Sequence, residues 1–439
     1  MDDYRKAVEY LYGLRLFGTK LGLNNIRRLL ELEGNPQEGP DFYHIAGTNG
    51  KGSVAAILAE LLTRSGFKAG RFTSPHLLDF RERIFLNGRP IPQSLVVELV
   101  HKLKKLIPAV VHSSGCTHPT YFEAVTALAL LAFRRQEIEA VAWETGLGGR
   151  FDATAAVKPK VAVVTTIGLD HRTYLGGTIR KIAAEKAGII KPGVPTVIGK
   201  LPPRAREVLS EGAQRAGSRL ISAGSLFQAR RVTAREGRMH FDLHTPRGKI
   251  SRVELALFGR HQVENSLTAL AAWWLGTDGG GEEVIRAALS QVSWPGRFEI
   301  RRFRNRTIIL DGAHNPQGAR ALARALNLFG PENPPVWLAG ILADKDTRGI
   351  LRALLPATAE VVAVPPGGKR GLPPEELDEL FRRENPERTI QLRNSVEDGL
   401  NACYRLTKPG GVILVAGSLR LVGQATCLLD GKKLERPPR

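Results

Sequence analysis

Short, almost unbroken apolar runs alternate along this chain with longer stretches in which apolar residues recur every three or four positions. Phe42 to Ala46, Ala140 to Trp143 and Lys160 to Ile167 are of the first kind, as are Thr307–Leu310, Val336–Ala339, Val361–Val364 and Val412–Val415. Such runs suit strands of a parallel sheet covered on both faces. Val54, Ile57, Leu58, Leu61 and Leu62 keep a helical period, and so do Leu95 to Leu106 and the segment from Thr120 to Phe133. Tyr4 to about Leu32 reads as helices broken near Gly13, Gly18 and Gly22. Residues from about Ile221 to Leu257 are alternating and arginine-rich, which predicts a β-meander. Trp294-Pro295-Gly296-Arg297-Phe298-Glu299 interrupts the pattern and reads as a joint between domains. The expected fold is α/β, with two doubly wound domains over residues 1–295 and 296–439.

Composition narrows this. The chain has 439 residues, 43% of them hydrophobic, enough for more than one core. The formal net charge of +20 suits polyanionic ligands. No arginine/lysine stripe with interleaved aromatics accompanies it, so nucleic acid is not an expected partner. The 3 cysteines, Cys116, Cys403 and Cys427, have neither metal-ligand spacing nor a disulfide framework, which fits a reducing cytoplasm. The N-terminus lacks a signal peptide's apolar core, and the longest apolar stretch, Ala124 to Phe133, is too short for a bilayer. The basic, proline-containing tail from Lys432 is expected to fray.

The chemistry begins where the first apolar run ends. Gly47-Thr48-Asn49-Gly50-Lys51-Gly52-Ser53 follows a strand and precedes a helical pattern that starts at about Val54. Glycines let backbone N–H groups close on an anion, and a helix N-terminus adds partial positive charge. Lys51 can reach β/γ-phosphates, and the Ser53 hydroxyl can hold Mg²⁺. An ordinary βα turn with three glycines is the alternative. The other apolar runs also end in polar groups: Glu144, Gly168-Leu169-Asp170-His171, Asp311-Gly312-Ala313-His314-Asn315-Pro316 and Gly417-Ser418. Ligands of open α/β sheets sit at such carboxyl edges. Glu144 is a candidate metal ligand or a buried structural carboxylate. Asp311 could equally cap a turn. Lys186 reads as a salt-bridging helix residue, and Thr120 and Glu123 read as a capping box.

Taken together and in order, these segments resemble the Mur ligase superfamily, and the Lys51-Gly52-Ser53 ending resembles its folylpolyglutamate synthase/dihydrofolate synthase branch. The resemblance spans nearly the whole chain. It runs through Thr73-Ser74-Pro75-His76, Phe80-Arg81-Glu82-Arg83, Thr120-Tyr121-Phe122-Glu123, the loop from Glu144 through Arg150 and Asp152 to Thr154, His171, Lys186, Asn265, Arg297 and Asp311–His314. Ala155 departs from it, standing where the family usually has asparagine.

The resemblance implies an N-terminal P-loop ATPase-type domain with a mostly parallel sheet and a small meander, and a smaller Rossmann-like C-terminal domain. It implies an ATP-dependent ligase that adds L-glutamate to reduced folates, and also to dihydropteroate, through an acyl phosphate. Lys51, Glu144, His171, Lys186 and Arg297 would be catalytic. Gly47 to Ser53, Asn265, Arg297 and Asp311 would hold ATP. Ser53, Ser74, Glu144, His171 and a carbamylated Lys186 would hold two Mg²⁺. Arg83, Thr120, Phe122, Arg150 and Asp152 would face the folate or pterin, and His314 and Ser418 the glutamate. The family's members are commonly monomers. A superfamily ligase acting on a cell-wall or storage-peptide precursor is the second reading, and a non-catalytic nucleotide or nucleic-acid binder the third.

Overall fold

The computed structural model describes residues 2–18, 22–368 and 370–432. The tail from residue 433, expected to fray, lies outside them.

Strands β1 Asp41–Ala46, β2 Ala69–Phe72, β3 Ile84–Leu86, β4 Arg89–Pro90, β5 Ala140–Glu144, β6 Pro159–Val164, β7 Thr196–Ile198 and β8 Leu220–Ser222 form one sheet in the order β4-β3-β2-β5-β1-β6-β7-β8. All neighbours from β2 to β8 pair in parallel, and only β3, antiparallel to both β2 and β4, runs against the rest. The β1, β5 and β6 side chains are buried almost throughout, as their apolar runs require. Helices cover both faces. Lys51–Arg64, Arg260–Thr277 and Glu282–Gln291 pack into one core, and Asp2–Gly13, Asn24–Glu31, Gln93–Val111 and Tyr121–Arg135 into another.

The predicted meander is present as β9 Gln228–Arg235, β10 Arg238–Thr245 and β11 Gly248–Leu255, antiparallel in the order β11-β10-β9. Its sequence start was set too early, because Leu220–Ser222 is the edge strand of the main sheet. A second sheet contains β12 Glu299–Phe303, β13 Arg306–Asp311, β14 Val336–Ala339, β15 Val361–Ala363, β16 Gln391–Leu392 and β17 Val412–Ala416, in the order β12-β13-β17-β14-β15-β16. Only β12 is antiparallel. Its residues are half-buried and arginine-rich, so it carries no apolar run to announce it.

Two local expectations are corrected. The cradle helix begins at Lys51, not Val54, with Gly50 in the left-handed region at φ 84 as its cap. Arg81 and Arg83, for which a solvated strand edge is the alternative to a ligand contact, instead belong to a 3-10 turn over Phe80–Arg83. Asp79 and Glu82 form a capping box there, Arg81 pairs with Asp79 at 2.7 Å, and Arg83 is buried.

Candidate active site

β1 lies at the centre of the first sheet, where connections leave in opposite directions, so the loops after β1, β5 and β6 open at one carboxyl edge. The cradle is fastened to the end of β6. Thr48 N donates to Thr166 O at 2.7 Å, and Thr165 Oγ1 donates to Asn49 O at 2.7 Å. Gly47 has to be glycine, because a Cβ there would lie 1.9 Å from Thr165 Oγ1. At Gly50 it would lie 2.5 Å from Asn265 Oδ1, which places Asn265 directly against the cradle.

Lys51 Nζ stands 3.7 Å from Glu144 Oε1, and the backbone N–H of Ser74 donates to the other Glu144 oxygen at 3.1 Å. The Ser74–Pro75 bond is cis. Burial raises the Glu144 pKa, and Lys51 opposes this. Ser53 is buried on the first turn of the Lys51 helix. Lys186 comes from the helix Ile179–Ala187; it is buried, and its Nζ donates to Gly47 O at 2.8 Å. Burial, reinforced by the charge on Lys51, brings its pKa down to about 7. It makes no salt bridge among the described residues, contrary to its bland sequence reading. Among the described residues no cluster of three or more His, Cys, Asp or Glu is ready to hold a metal ion. The buried, cation-compensated Glu144 carboxylate fits such an ion.

The second sheet brings its own carboxyl edge to this one. Asn49 and Asn315 exchange amide hydrogen bonds at 3.2 and 3.0 Å, and Asn49 Nδ2 also donates to Gln317 Oε1 at 3.0 Å. Asp170, just past β6, accepts from Lys345 Nζ at 2.7 Å and Asn315 Nδ2 at 3.0 Å, with His314 Nε2 at 3.7 Å. Burial would raise the Asp170 pKa, but His171 and Lys345 hold it well below the usual carboxylate range. Burial and Lys345 bring His314 down to about 4. His171, in the left-handed region at φ 50, keeps a partly exposed ring 4.0 Å from Asp170.

Asp311 is buried and accepts from the backbone N–H groups of Phe298 and Ala313, both at 2.8 Å. Arg297 packs against Gly312, where a Cβ would come 2.2 Å from its Nη1. Burial lowers the Arg297 pKa, while Asp311 and Glu144 pull it back up. Arg297 therefore lies in the field of both carboxylates, one from each sheet.

Thr120 caps the Tyr121 helix in a complete capping box with Glu123. Phe122 packs on Gly146, where a Cβ would lie 2.4 Å from the ring. The buried Asp152 accepts from Leu147 N at 2.7 Å and Thr154 N at 3.0 Å, and so shapes the loop after Glu144 from within. Arg150 is exposed. Ala155 is buried in the Ala153–Ala156 turn, which explains why an apolar residue is accommodated there. Ser418 is 1% exposed, and its hydroxyl caps the helix Leu419–Leu429 by accepting from Leu421 N. Sequence reasoning did not single out Asp170, Asn315 and Lys345 for a role, nor Thr165 and Thr166. The position of each at or just after a strand end was the available signal.

A phosphate cradle at one carboxyl edge, held against a histidine- and asparagine-bearing turn of a second α/β sheet, defines an ATP-dependent ligase of the Mur type. The Mur ligase middle domain matches residues 45–273, and the Mur ligase glutamate ligase domain matches residues 296–419. The chain belongs to the folylpolyglutamate synthase/dihydrofolate synthase family. It is 38% identical over 359 residues to the dihydrofolate synthase/folylpolyglutamate synthase of Bacillus subtilis, covering 80% of this chain and 82% of that one. Folylpolyglutamate synthase of Lacticaseibacillus casei is 33% identical, over 98% of this chain and 100% of that protein. The fold matches Mycobacterium tuberculosis folylpolyglutamate synthase complexed with ADP at a TM-score of 0.91 and 33% identity, covering 98% and 99% of the two chains.

Proposed function

We propose that this protein joins the amine of L-glutamate to the carboxylate of a reduced folate, and of dihydropteroate, in two ATP-driven steps. The acceptor carboxylate attacks the ATP γ-phosphate, releasing ADP and leaving an acyl phosphate. The glutamate amine then attacks the acyl carbon, and phosphate departs from the tetrahedral intermediate. The observation that carries this reading is the meeting of the Lys51 cradle with the Asp311–Asn315 turn, because both half-reactions need one shared space.

The first step brings two anions together, so its barrier depends on charge neutralisation and alignment. Lys51 and Arg297 supply fixed positive charge to the γ-phosphate. The glycines at 47, 50 and 52 let the cradle backbone approach the phosphates, while Thr48 and Asn49 hold it in shape. Asn265, packed on Gly50, contacts the adenine, and Asp311 stays as an acceptor near the nucleotide. Two Mg²⁺ bound by Ser53, Ser74, Glu144, His171 and a Lys186 carbamate would offset phosphate charge. A carbamate forms only from a neutral amine, and the buried Lys186 offers one near neutral pH. Phe122 gives the pterin an apolar face, with Thr120, Arg83 and Arg150 around it, while Asp152 serves from within by fixing the loop after Glu144. His314 and Ser418 belong to the glutamate side; Ser418 acts there through the helix start it caps.

The functional units are residues 1–295 and 296–439. The protein works as a monomer in the cytoplasm, on small molecules and not on nucleic acid; no helix among the described residues is long and apolar enough to cross a membrane. The test is glutamate-dependent ADP release with tetrahydrofolate and dihydropteroate supplied separately. Release with both supports the bifunctional reading. Release with tetrahydrofolate alone leaves a dedicated polyglutamate synthase. Release with neither, but with a peptide precursor of the cell wall, moves the protein to another ligase branch.

A further inference from the structure

Beside the acceptor residues, and sharing Arg83 with them, lies a cationic cluster whose other members the two-step reaction does not use. Arg83 Nε donates to His76 Nδ1 at 2.8 Å, which leaves the His76 Nε2–H to face Tyr12 Oη at 3.1 Å. Burial, then Arg83 and Arg15, hold the His76 pKa well below its ordinary value, so the guanidiniums carry the charge here. Tyr12 and Tyr121 stack at 5.6 Å, and the Arg15 guanidinium lies 4.3 and 4.8 Å from their ring centres. Arg83 lies 5.5 Å from the Tyr121 centre. The Tyr121 hydroxyl is buried and has no hydrogen-bond partner among the described residues.

Arg420 adjoins this cluster from the second domain. It is the second residue of the helix Leu419–Leu429, and a Cβ on Gly368 would lie 2.4 Å from its Nη1. Leu77, next to His76, and Val422, two residues after Arg420, both come within 3.4 Å of where a Gly296 side chain would begin. Burial and the charge of Arg15 lower the Arg420 pKa. The neighbouring carboxylates are engaged elsewhere. Glu82 accepts from the backbone of Leu77, Leu78 and Asp79; Asp79 pairs with Arg81, and Glu144 with Lys51. Among the described residues no carboxylate pairs with Arg15, Arg83 or Arg420.

We propose that Arg15 and Arg420, together with Arg83, form a subsite for the α-carboxylates of a γ-linked glutamate tail already present on the acceptor. This rests on the folate glutamate-ligase reading. Each γ-linked glutamate leaves one free α-carboxylate, so a growing tail presents a row of planar anions. Guanidinium forks match them in pairs. Arg83, whose charge is felt at Glu144, serves the residue next to the reacting carboxyl. Arg15 and Arg420 serve residues farther along the tail.

The experiment is steady-state ADP release with tetrahydrofolate acceptors carrying one, three or five glutamates. Wild type is compared with Arg15→Gln, Arg420→Gln and the double variant. The ratio of KM for the pentaglutamate to KM for the monoglutamate should rise about tenfold in each single variant, the loss of about 1.4 kcal/mol of tail binding. Free γ-linked pentaglutamate should inhibit wild type competitively against the monoglutamate acceptor and lose that effect in the double variant. Thermal melts identify any variant that fails to fold; Arg15→Lys and Arg420→Lys, which keep the charge, should then restore part of the ratio. A KM ratio within about twofold of wild type in all variants overturns the subsite and leaves the ligase reading intact. Absence of ADP release by wild type with every folate acceptor overturns both.

Discussion

At the residue scale the site is a set of mutually compensated charges. Lys51 and Glu144 face each other at 3.7 Å, and Lys186 is held between buried backbone and the Lys51 charge. Lys51→Ala should cut ADP release at least about 100-fold, the range of losing one preorganised electrostatic donor. The melting temperature should change by only a few degrees, because burial already biases Glu144 towards the neutral acid once its partner is gone. Near-normal turnover would show that the lysine does not touch phosphate. For Lys186, ¹³C-labelled bicarbonate should give a carbamate resonance in wild type that is absent from Lys186→Arg. Identical spectra from the two proteins would remove the modified lysine from the metal site.

The sequence revealed these residues unevenly. Lys51, Glu144 and Asp311 each follow an apolar run, so strand pattern and position led to them. Asp170 and Lys345 are 175 positions apart and meet only because two sheets present their edges to each other. No local pattern encodes that. Asp152 was read as a pterin contact from a motif, while its side chain faces inward onto Leu147 and Thr154.

At the scale of elements, short loops locked by buried contacts do the positioning. The loop after β5 is clamped by Asp152 below and by the Phe122 ring above, with Gly146 in van der Waals contact with that ring. Gly146→Ala should therefore displace Phe122 or the loop, lowering activity on dihydropteroate more than it lowers the melting temperature. Equal activity to wild type would mean that the ring has room to move. The strands were legible wherever both faces are buried. β12 was not, since a half-buried edge strand carrying two arginines lacks the apolar signature. The turn at Phe80–Arg83 was missed because its capping box depends on Asp79, whose role appears only when Arg81 folds back on it.

At the scale of the whole molecule, three histidines, His44 buried and His261 and His314 half-buried, are held in the neutral form. Burial brings His44 to about 3, and both His261 and His314 to about 4. Below about pH 6.5 the unfolded chain binds protons at these positions and the folded chain does not. Stability should therefore fall as pH drops from about 6.5 towards 4. His44→Gln should flatten that fall, as followed by thermal melts across the pH range. A melting temperature that stays level from pH 7 to 4.5 would contradict the burial of these rings.

Gly52 has a bearing on how the two halves communicate. A Cβ there would come 2.5 Å from the Trp294 indole, the residue that precedes the Pro295–Gly296 joint. The phosphate loop and the joint therefore share a surface with no slack between them. A nucleotide that shifts the loop by a fraction of an ångström must also reorient the joint, and a joint held in one orientation must select how the nucleotide sits. Phosphate affinity and the angle between the halves are then two readings of a single coordinate. A crosslink that fixes the angle would also fix the affinity, without touching any residue that meets ATP.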